Sequence, residues 1–407
     1  GTGTLTLGAK MGTGTVFLVN GSGGLINLTS AANSTGAYQF MGGTVRVGAT
    51  SLNHTNDGTT GAVGNDVIRL SSGAILELQA DLTRDLGNTR GDVEMVGSAG
   101  FSAFGGDRTV SLTTANPGNA INWGAGNFVA DNLILGSAYS NSTVTLTNDI
   151  AFATLSRVVD VRAGTVAGDI DGRLSGVLSS TGGGLVKKGA GKLEVTGANT
   201  YTGDTWVMEG GLSVSNTSGS GTGSGGVHLA TSTTLSGTGF ISGTVSGSGT
   251  IAPGASPGIL TVGAVNASEG LSFLFEMTAL DPTYGAPTAS GNDVLHITSA
   301  TPFVTALNAS NLITVDFTSM TLNPGDVILG AFYAASDFTS AIQNATYNYL
   351  GTGGLTVNVS VVPQDADFGT GLEGGYVTRF DIVPEPTSML LAALGATCFL
   401  IRRRRNG

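Results

Sequence analysis

Short apolar segments that follow a glycine recur along the chain and constrain its fold most strongly. Examples are residues 43–47 (GTVRV), 73–78 (GAILEL), 164–166 (GTV) and 211–214 (GLSV), where apolar residues recur beside polar ones. A period of two turns one side of a strand inward and the other side outward. Before residue 387 no segment combines a helical period with helix caps. We therefore expect an all-β protein.

The composition suits a long, thin core with many sharp turns. The 407 residues include 66 glycines, and 40% of the chain is hydrophobic while 11% is charged. That apolar content is enough to bury a core, and glycine permits tight corners. Many short strands also occur in sandwiches and barrels, but the recurrence of whole units favours a solenoid. We predict a right-handed parallel β-helix over residues 1–265, followed by closing rungs and a β-rich cap over residues 266–382.

The charge distribution argues against a nucleic-acid partner. The formal net charge is −11, and four of the 17 basic residues stand together as Arg402, Arg403, Arg404 and Arg405. The preceding chain is therefore more acidic still and lacks the basic stripe that nucleic-acid binding requires. The single cysteine, Cys398, lies in a C-terminal apolar segment. The rest of the chain has no thiol for a disulfide or a metal site.

Residues 182–215 form the clearest repeat unit and resemble the autotransporter-associated β-strand repeat. The positions that match its pattern are Gly184, Leu185, Lys188, Gly189, Gly191, Leu193, Val195, Gly197, Asn199, Thr200, Tyr201, Gly203, Thr205, Val207, Leu212 and Val214, with a glycine at 210 or 211. Residues 245–262 and 100–123 resemble segments that accompany such repeats. The opening, GTGTLTL, also looks like the middle of a repeat, so we expect the sequence to begin within a longer protein.

The repeat resemblance assigns an inward or outward direction to individual side chains. We predict that the repeat's apolar residues are buried, namely Leu185, Leu193, Val195, Val207, Leu212 and Val214. Lys187 and Glu194 are predicted to be exposed, and residues 199–203 to form a corner with Tyr201 over an edge of the core. A slip by one residue would exchange every one of these directions.

The C-terminal residues 383–407 resemble a PEP-CTERM sorting tail. Pro384, Glu385 and Pro386 are followed by the apolar residues 388–401 and then by the four arginines. The prolines keep the backbone extended and accessible. A helix over residues 388–401 would be about 21 Å long, short of a bilayer core of roughly 30 Å. The arginines would remain cytoplasmic as a stop signal.

The tail resemblance implies a route for the protein. Members of this family are cut near the Pro-Glu-Pro motif by an exosortase, in Gram-negative bacteria that make exopolysaccharide. We therefore expect an inner-membrane-anchored precursor and a mature form at the cell surface or outside the cell. The expected partners are an exosortase-type enzyme, the inner membrane transiently, and exopolysaccharide or cell-surface glycans.

An enzyme remains the main alternative, because β-helices also carry polysaccharide lyases and hydrolases. Glycosidic cleavage requires two carboxylates roughly 5–10 Å apart. The candidate pairs are Asp169 with Asp171, in GDIDG, and Asp57 with Asp66. We interpret Asp169 and Asp171 as a polar turn beside glycines, although the same pattern is compatible with a calcium site.

The remaining candidates favour structural roles. His54, His228 and His296 are far apart and lack a metal-ligand pattern, and the glycine-rich residues 219–226 lack the lysine of a phosphate loop. Trp123 and Trp206 could stack on sugars but are expected to cover rung edges. The sequence thus predicts a non-enzymatic, exported scaffold or adhesin-like protein without a cofactor or metal. The alternative is a carbohydrate-active β-helix enzyme.

Overall fold

The computed structural model describes residues 4–7, 16–19, 24–28, 38–48, 67–89, 91–165, 170–254, 257–280, 291–363 and 375–384. The chain divides into two compact units, Gly1–Gly249 and Thr250–Gly407. The predicted domain boundary at residue 265 stays a prediction. Apart from a 3-10 turn at Pro117–Asn119, the only helix in the described ranges is the four-residue α1 (Thr339–Ile342). The expectation of an all-β protein is confirmed.

The described strands of the first unit are, in chain order, β1 (Thr4–Leu7), β2 (Val16–Val19), β3 (Leu25–Leu28), β4 (Tyr38–Met41), β5 (Thr44–Val47), β6 (Ile68–Ser71), β7 (Ala74–Leu78), β8 (Leu82–Asp85), β9 (Val93–Val96), β10 (Ala99–Ala103), β11 (Arg108–Thr113), β12 (Ile121–Asn122), β13 (Phe128–Val129), β14 (Asn132–Leu135), β15 (Val144–Leu146), β16 (Ile150–Ala151), β17 (Arg157–Val161), β18 (Gly172–Leu174), β19 (Leu178–Ser179), β20 (Leu185–Lys188), β21 (Lys192–Val195), β22 (Thr205–Val207), β23 (Gly211–Val214), β24 (Val227–Leu229), β25 (Thr234–Ser236) and β26 (Phe240–Gly247).

These strands stack in parallel as successive rungs with three faces. Face 1 runs β1-β3-β5-β7-β10-β14-β17-β20-β22-β24-β26. Face 2 runs β8-β11-β15-β18-β21-β23-β25. A third face is formed by β2-β4-β6-β9-β13 and by β12-β16-β19. Sequence neighbours therefore lie on different faces, whereas residues one rung apart are hydrogen-bonded, which is the pattern of a β-helix.

The inward positions of each face form continuous apolar columns. On face 2, Leu193 lies in register with Leu212 and then Leu235, and Val195 lies in register with Val214. All five side chains are buried, as are Leu185 and Val207. The predicted register of the repeat is therefore confirmed at every apolar position for which it was stated.

Aromatic side chains fill the same interior where strands give way to corners. Trp123 is buried and packs edge-on against Phe128 and Phe152, with ring centroids 5.3 and 5.9 Å apart. Phe152 in turn contacts Tyr201, whose hydroxyl lies 2.6 Å from that of Thr205. Burial raises the pKa of Tyr201 well above its usual range. Tyr201 thus lies in the core itself rather than over its edge.

Buried asparagines tie the corners of neighbouring rungs together. The Asn199 side chain accepts the backbone N–H of Leu178 at 2.7 Å and donates to the carbonyl of Gly221 at 2.6 Å. Asn148 makes the same kind of bridge, accepting from and donating to the backbone of Leu112. A buried backbone group without a partner destabilises the fold. The asparagine amides supply these partners to backbone groups at the corners, where the hydrogen bonding between parallel strands ends.

One polar direction predicted from the repeat is wrong. Lys187, expected to be exposed, is fully buried, while Lys188 points outward. The Lys187 ammonium donates to the carbonyls of Gly189 and Glu209, at 2.6 and 2.8 Å, and so holds two corners of successive rungs. A four-carbon stem allows an inward lysine near a corner to reach carbonyls that a shorter side chain cannot.

Glu194, also expected to be exposed, is half-buried. Its carboxylate pairs with Arg173, its register partner on the preceding rung of face 2. Arg46 pairs with Glu77 and Arg69 with Glu94 in the same cross-rung manner. The sequence separation of these partners hides such pairs from a local pattern.

The second unit begins with further parallel rungs. Its described strands are β27 (Thr250–Ile251), β28 (Ile259–Asn266), β29 (Ser272–Glu276), β30 (Val294–Ile297), β31 (Phe303–Thr305), β32 (Leu312–Asp316), β33 (Val327–Ala334), β34 (Thr346–Leu350), β35 (Thr356–Pro363) and β36 (Tyr376–Val383). Parallel pairings join β28 to β30 and β31, β30 to β33, and β27-β29-β32-β34 in series. β36 then pairs antiparallel with both β33 and β35.

Larger aromatic residues fill this unit. Phe332 packs edge-on against Phe273 and Phe275, each at 5.0 Å, and against Phe303 at 5.5 Å. The buried carboxylate of Asp293 accepts the backbone N–H groups of Gly258 and Glu276. Burial raises the pKa of Asp293 to about 7. This carboxylate therefore ties the backbone before β28 to the start of β30 and the end of β29.

Within the described part of the chain, no helix is long and apolar enough to cross a bilayer. The predicted membrane helix over residues 388–401 lies outside that part and stays a prediction.

The core register can be tested at Leu193. We expect Leu193→Asp to lower the free energy of unfolding by roughly 3–5 kcal/mol, because it places a charge in a dry column. Thr200→Asp, at an exposed position of the same repeat, is the control and should change stability by about 0.5 kcal/mol or less. Chemical denaturation of both variants measures the difference. Equal effects would contradict the register.

The buried lysine predicts a pH dependence. Burial lowers the pKa of Lys187 to about 8, whereas an unfolded lysine titrates near roughly 10.4. Between these values the unfolded chain holds the proton that the folded chain has lost, so rising pH stabilises the fold. Denaturation of wild type and Lys187→Met at pH 7 and pH 10 should show wild type gaining on the order of 1–3 kcal/mol relative to the variant. A difference that does not change with pH would refute this environment for Lys187.

Candidate binding face of the repeat

Trp206 occupies the outward position of β22, between two inward residues. Thr205 and Val207 are fully buried, while Trp206 is 44% exposed. The expectation that this side chain covers a rung edge is wrong, because the alternation of β22 directs it away from the core. Trp123 differs, since it lies inside the core and its indole N–H donates to the carbonyl of Ala130.

The neighbouring rung holds the indole in place. Trp206 lies in register with His228 of β24, and their rings stack with centroids 4.1 Å apart and planes 18° from parallel. On the preceding rung its register partner is Val186. A flat pair of rings one rung apart is the geometry that parallel stacking imposes on outward aromatic residues.

Both nitrogens of His228 are engaged. Nε2 lies 3.2 Å from a carboxylate oxygen of Asp204, and Nδ1 lies 2.9 Å from the hydroxyl of Ser246 on the next rung. The other Asp204 oxygen accepts the backbone N–H of Gly226 at 2.8 Å. A continuous polar chain, Gly226–Asp204–His228–Ser246, therefore fixes the imidazole and, through it, the Trp206 ring.

This chain contains the residue types of a serine hydrolase triad, but its setting differs from one. The Ser246 residue is 7% exposed and lies within the regular strand β26, rather than at a strained turn that presents its hydroxyl. One face of the imidazole is covered by Trp206. In this geometry the chain positions an aromatic ring. The sequence alone does not group these residues, because the partners of His228 lie 24 and 18 residues away.

Of the acidic candidates of the sequence, only Asp171 lies within the described residues, so neither predicted pair is tested. Asp171 is buried, and its two carboxylate oxygens accept the N–H groups of Gly164 and Lys192. Its proposed partner Asp169 lies outside the described ranges, as do Asp57, Asp66 and His54. The ring of His296 packs against that of Tyr333, with their centroids 5.1 Å apart. In the ranges given above, no group of three or more His, Cys, Asp or Glu side chains could hold a metal ion.

A cleft of about 370 Å³ lies at a corner of the first unit, between β7 and β8. Asp81 and Arg84 line this cleft, but the side chains of both are already hydrogen-bonded to backbone groups. The Asp81 carboxylate accepts the N–H of Thr109 at 2.8 Å, and Arg84 donates to the carbonyl of Gly91 at 2.9 Å. Burial lowers the pKa of Arg84 from its ordinary value. The two polar side chains that line the cleft thus serve to hold the corner together.

Of the predicted sorting residues, Pro384 directly follows β36 and is the last residue described. Glu385, Pro386, Arg402, Arg403, Arg404 and Arg405 lie beyond it, so their roles stay predictions. The extended strand β36 leads directly into Pro384.

Comparison with known proteins gives two family matches and one relative. The family model described as "Passenger-associated-transport-repeat" matches residues 185–214. That described as "PEP-CTERM protein-sorting motif" matches residues 383–405. A stretch of 81 residues is 43% identical to an "Extracellular serine protease" of Serratia marcescens. This stretch is 20% of the chain but 7% of that protease.

The first match covers β20 to β23, the rungs that carry Trp206. The second begins at the last residue of β36 and extends through the arginines. The family matches thus confirm both motifs that the sequence resemblances indicated. The chain carries a passenger-associated-transport repeat and a PEP-CTERM sorting motif, which together indicate an exported surface protein of a Gram-negative bacterium.

Proposed function

We propose that the chain is a non-enzymatic surface or matrix scaffold with an adhesin-like role, sorted through its PEP-CTERM tail. The observation that carries this proposal is the combination of stacked parallel rungs with a sorting motif on one chain. Stacked rungs present long faces of hydroxyl, amide and carboxylate groups. Such faces suit many weak contacts whose combined strength gives adhesion.

The handedness and the membrane step belong to the same proposal. Parallel crossovers are right-handed in about 98% of cases, so the rungs wind to the right. Residues 388–401 then form a short membrane helix, and Arg402, Arg403, Arg404 and Arg405 keep its end in the cytoplasm. An exosortase-type enzyme recognises Pro384, Glu385 and Pro386, cuts near them on the outer side of the inner membrane, and releases or transfers the mature protein.

The contacts of the ionisable groups support a role without catalysis. In the described residues Asp171, Asp81 and Asp293 each accept backbone N–H groups and thereby hold a turn or corner. Glu77 and Glu194 pair with arginines of an adjacent rung. Catalytic carboxylates instead face a cleft and a substrate. These acids have structural partners.

The sorting motif predicts the fate of the precursor. Replacing Pro384, Glu385 and Pro386 with alanine allows the membrane helix to extend into the recognition site, because alanine favours helix where proline prevents it. We expect an uncleaved precursor that stays in the membrane fraction, measured by cell fractionation and mass spectrometry of the C-terminus. Thr387→Ala is the matched control and should mature normally. Maturation of the triple variant at the wild-type rate would show a plain anchor instead.

The absence of catalysis is tested on the Asp204–His228–Ser246 chain and on glycans. We expect a fluorophosphonate probe to leave the protein unlabelled, since Ser246 is held within a strand. We also expect no new reducing ends or unsaturated products from polysaccharides incubated with it. Labelling that Ser246→Ala abolishes would identify a serine hydrolase. Polysaccharide cleavage would identify the carbohydrate-active alternative. Either result would overturn the proposal.

A further inference from the structure

The exposure of Trp206 has no structural cause within its face. Apart from His228, the register positions in its outward column are small or aliphatic: Val158 and Val186 on the preceding rungs, and Ser246 beyond His228. Val158 and Val186 are half-buried, whereas the larger Trp206 projects and is 44% exposed. An exposed indole gains little for the fold, but it gives a binding face its largest apolar contact.

The ring is also arranged before any ligand arrives. Trp206 stacks on His228, and the imidazole is fixed by Asp204 on one nitrogen and Ser246 on the other. Side chains that are already ordered lose little conformational entropy on binding. A fully bonded support beneath a projecting aromatic ring is therefore typical of a recognition site.

Polar and apolar groups adjoin the ring in a mixed pattern. The Asp204 side chain is 46% exposed, so its carboxylate can accept further hydrogen bonds. Met208, which directly follows β22 and is two residues from Trp206, is exposed, and so are Lys188 on the preceding rung and Glu209. A platform of indole and thioether carbons beside carboxylates and an ammonium matches a ligand with one apolar face and many hydroxyls.

We propose that Trp206, with Asp204, His228 and Met208, forms a binding site for a neutral polysaccharide. The C–H face of a pyranose ring packs on the indole, and its hydroxyls donate to the Asp204 carboxylate. The net charge of −11 and the carboxylates of Asp204 and Glu209 disfavour an acidic polymer. A protein partner would require an interface of roughly 800 Å² on each side, whereas a glycan repeats one small contact along its length.

This inference rests on the proposed function, because it names the class of partner that the scaffold holds. The experiment uses the full chain in a non-ionic detergent, with dextran, hydroxyethylcellulose and mannan as neutral probes and alginate as the acidic one. Trp206 and Trp123 are the two tryptophans of the chain, and Trp123 is 2% exposed. Acrylamide quenching of tryptophan fluorescence therefore reports Trp206, and retardation in gels containing each polymer reports affinity.

We expect at least one neutral polymer to shield Trp206 from acrylamide and to retard the protein, and alginate to do neither. Trp206→Ala should weaken retardation about tenfold. Phe240→Ala removes an equally exposed aromatic side chain of the same unit, 42% exposed, and should bind like wild type.

Three results would overturn the inference: no shielding by any neutral polymer, equal binding of alginate, or a loss with Phe240→Ala that matches that of Trp206→Ala. None of them bears on maturation of the precursor or on catalysis. Failure of the glycan-binding experiment would therefore leave the proposed function standing. Failure of the proposed function would be detected in the maturation and catalysis assays.

Discussion

The parallel hydrogen bonds between rungs are the interaction on which the rest of the first unit depends. They place each residue beside the residue one rung away, as Leu193 is beside Leu212 and Lys187 beside Val207. The interior is consequently a set of narrow columns, in which an inward polar group needs a partner on a neighbouring strand or at a corner. Asn199 and Lys187 find theirs by bonding to corner backbone. The same constraint builds the outer surface, because outward residues also stack in columns.

Much of the repeat could be predicted because its signal is local. The repeat pattern, with its alternation, predicted that Leu193, Val195 and Val214 point inward, and the structure confirms each. Lys187 was missed because a charge at an inward position contradicts the pattern unless the length of the side chain and the nearby corner carbonyls are known. The ion pair of Glu194 was missed because its partner Arg173 belongs to another rung.

The candidate binding face was missed for the same reason. Nothing near Trp206 in the sequence identifies His228 as its support, and His228 is itself 24 residues from Asp204 and 18 residues from Ser246. Only the length of each rung brings these residues together. The sorting tail, by contrast, depends on residues adjacent in sequence, so its motif could be recognised directly and the family match agrees. The tail can thus be recognised from the local sequence, whereas the binding face is formed only when the rungs stack.

Cross-linking between rungs tests the central claim most directly. Ser213 and Ser236 are register partners on face 2, whereas Thr234 is the partner of Gly211 and lies two residues off that register. With Cys398 replaced by serine, the pair Ser213→Cys and Ser236→Cys should form a disulfide in the full chain, since adjacent parallel strands bring Cα atoms within about 5 Å. The pair Ser213→Cys and Thr234→Cys should stay reduced. Oxidation of the offset pair in preference to the register pair would contradict the stacked-rung account.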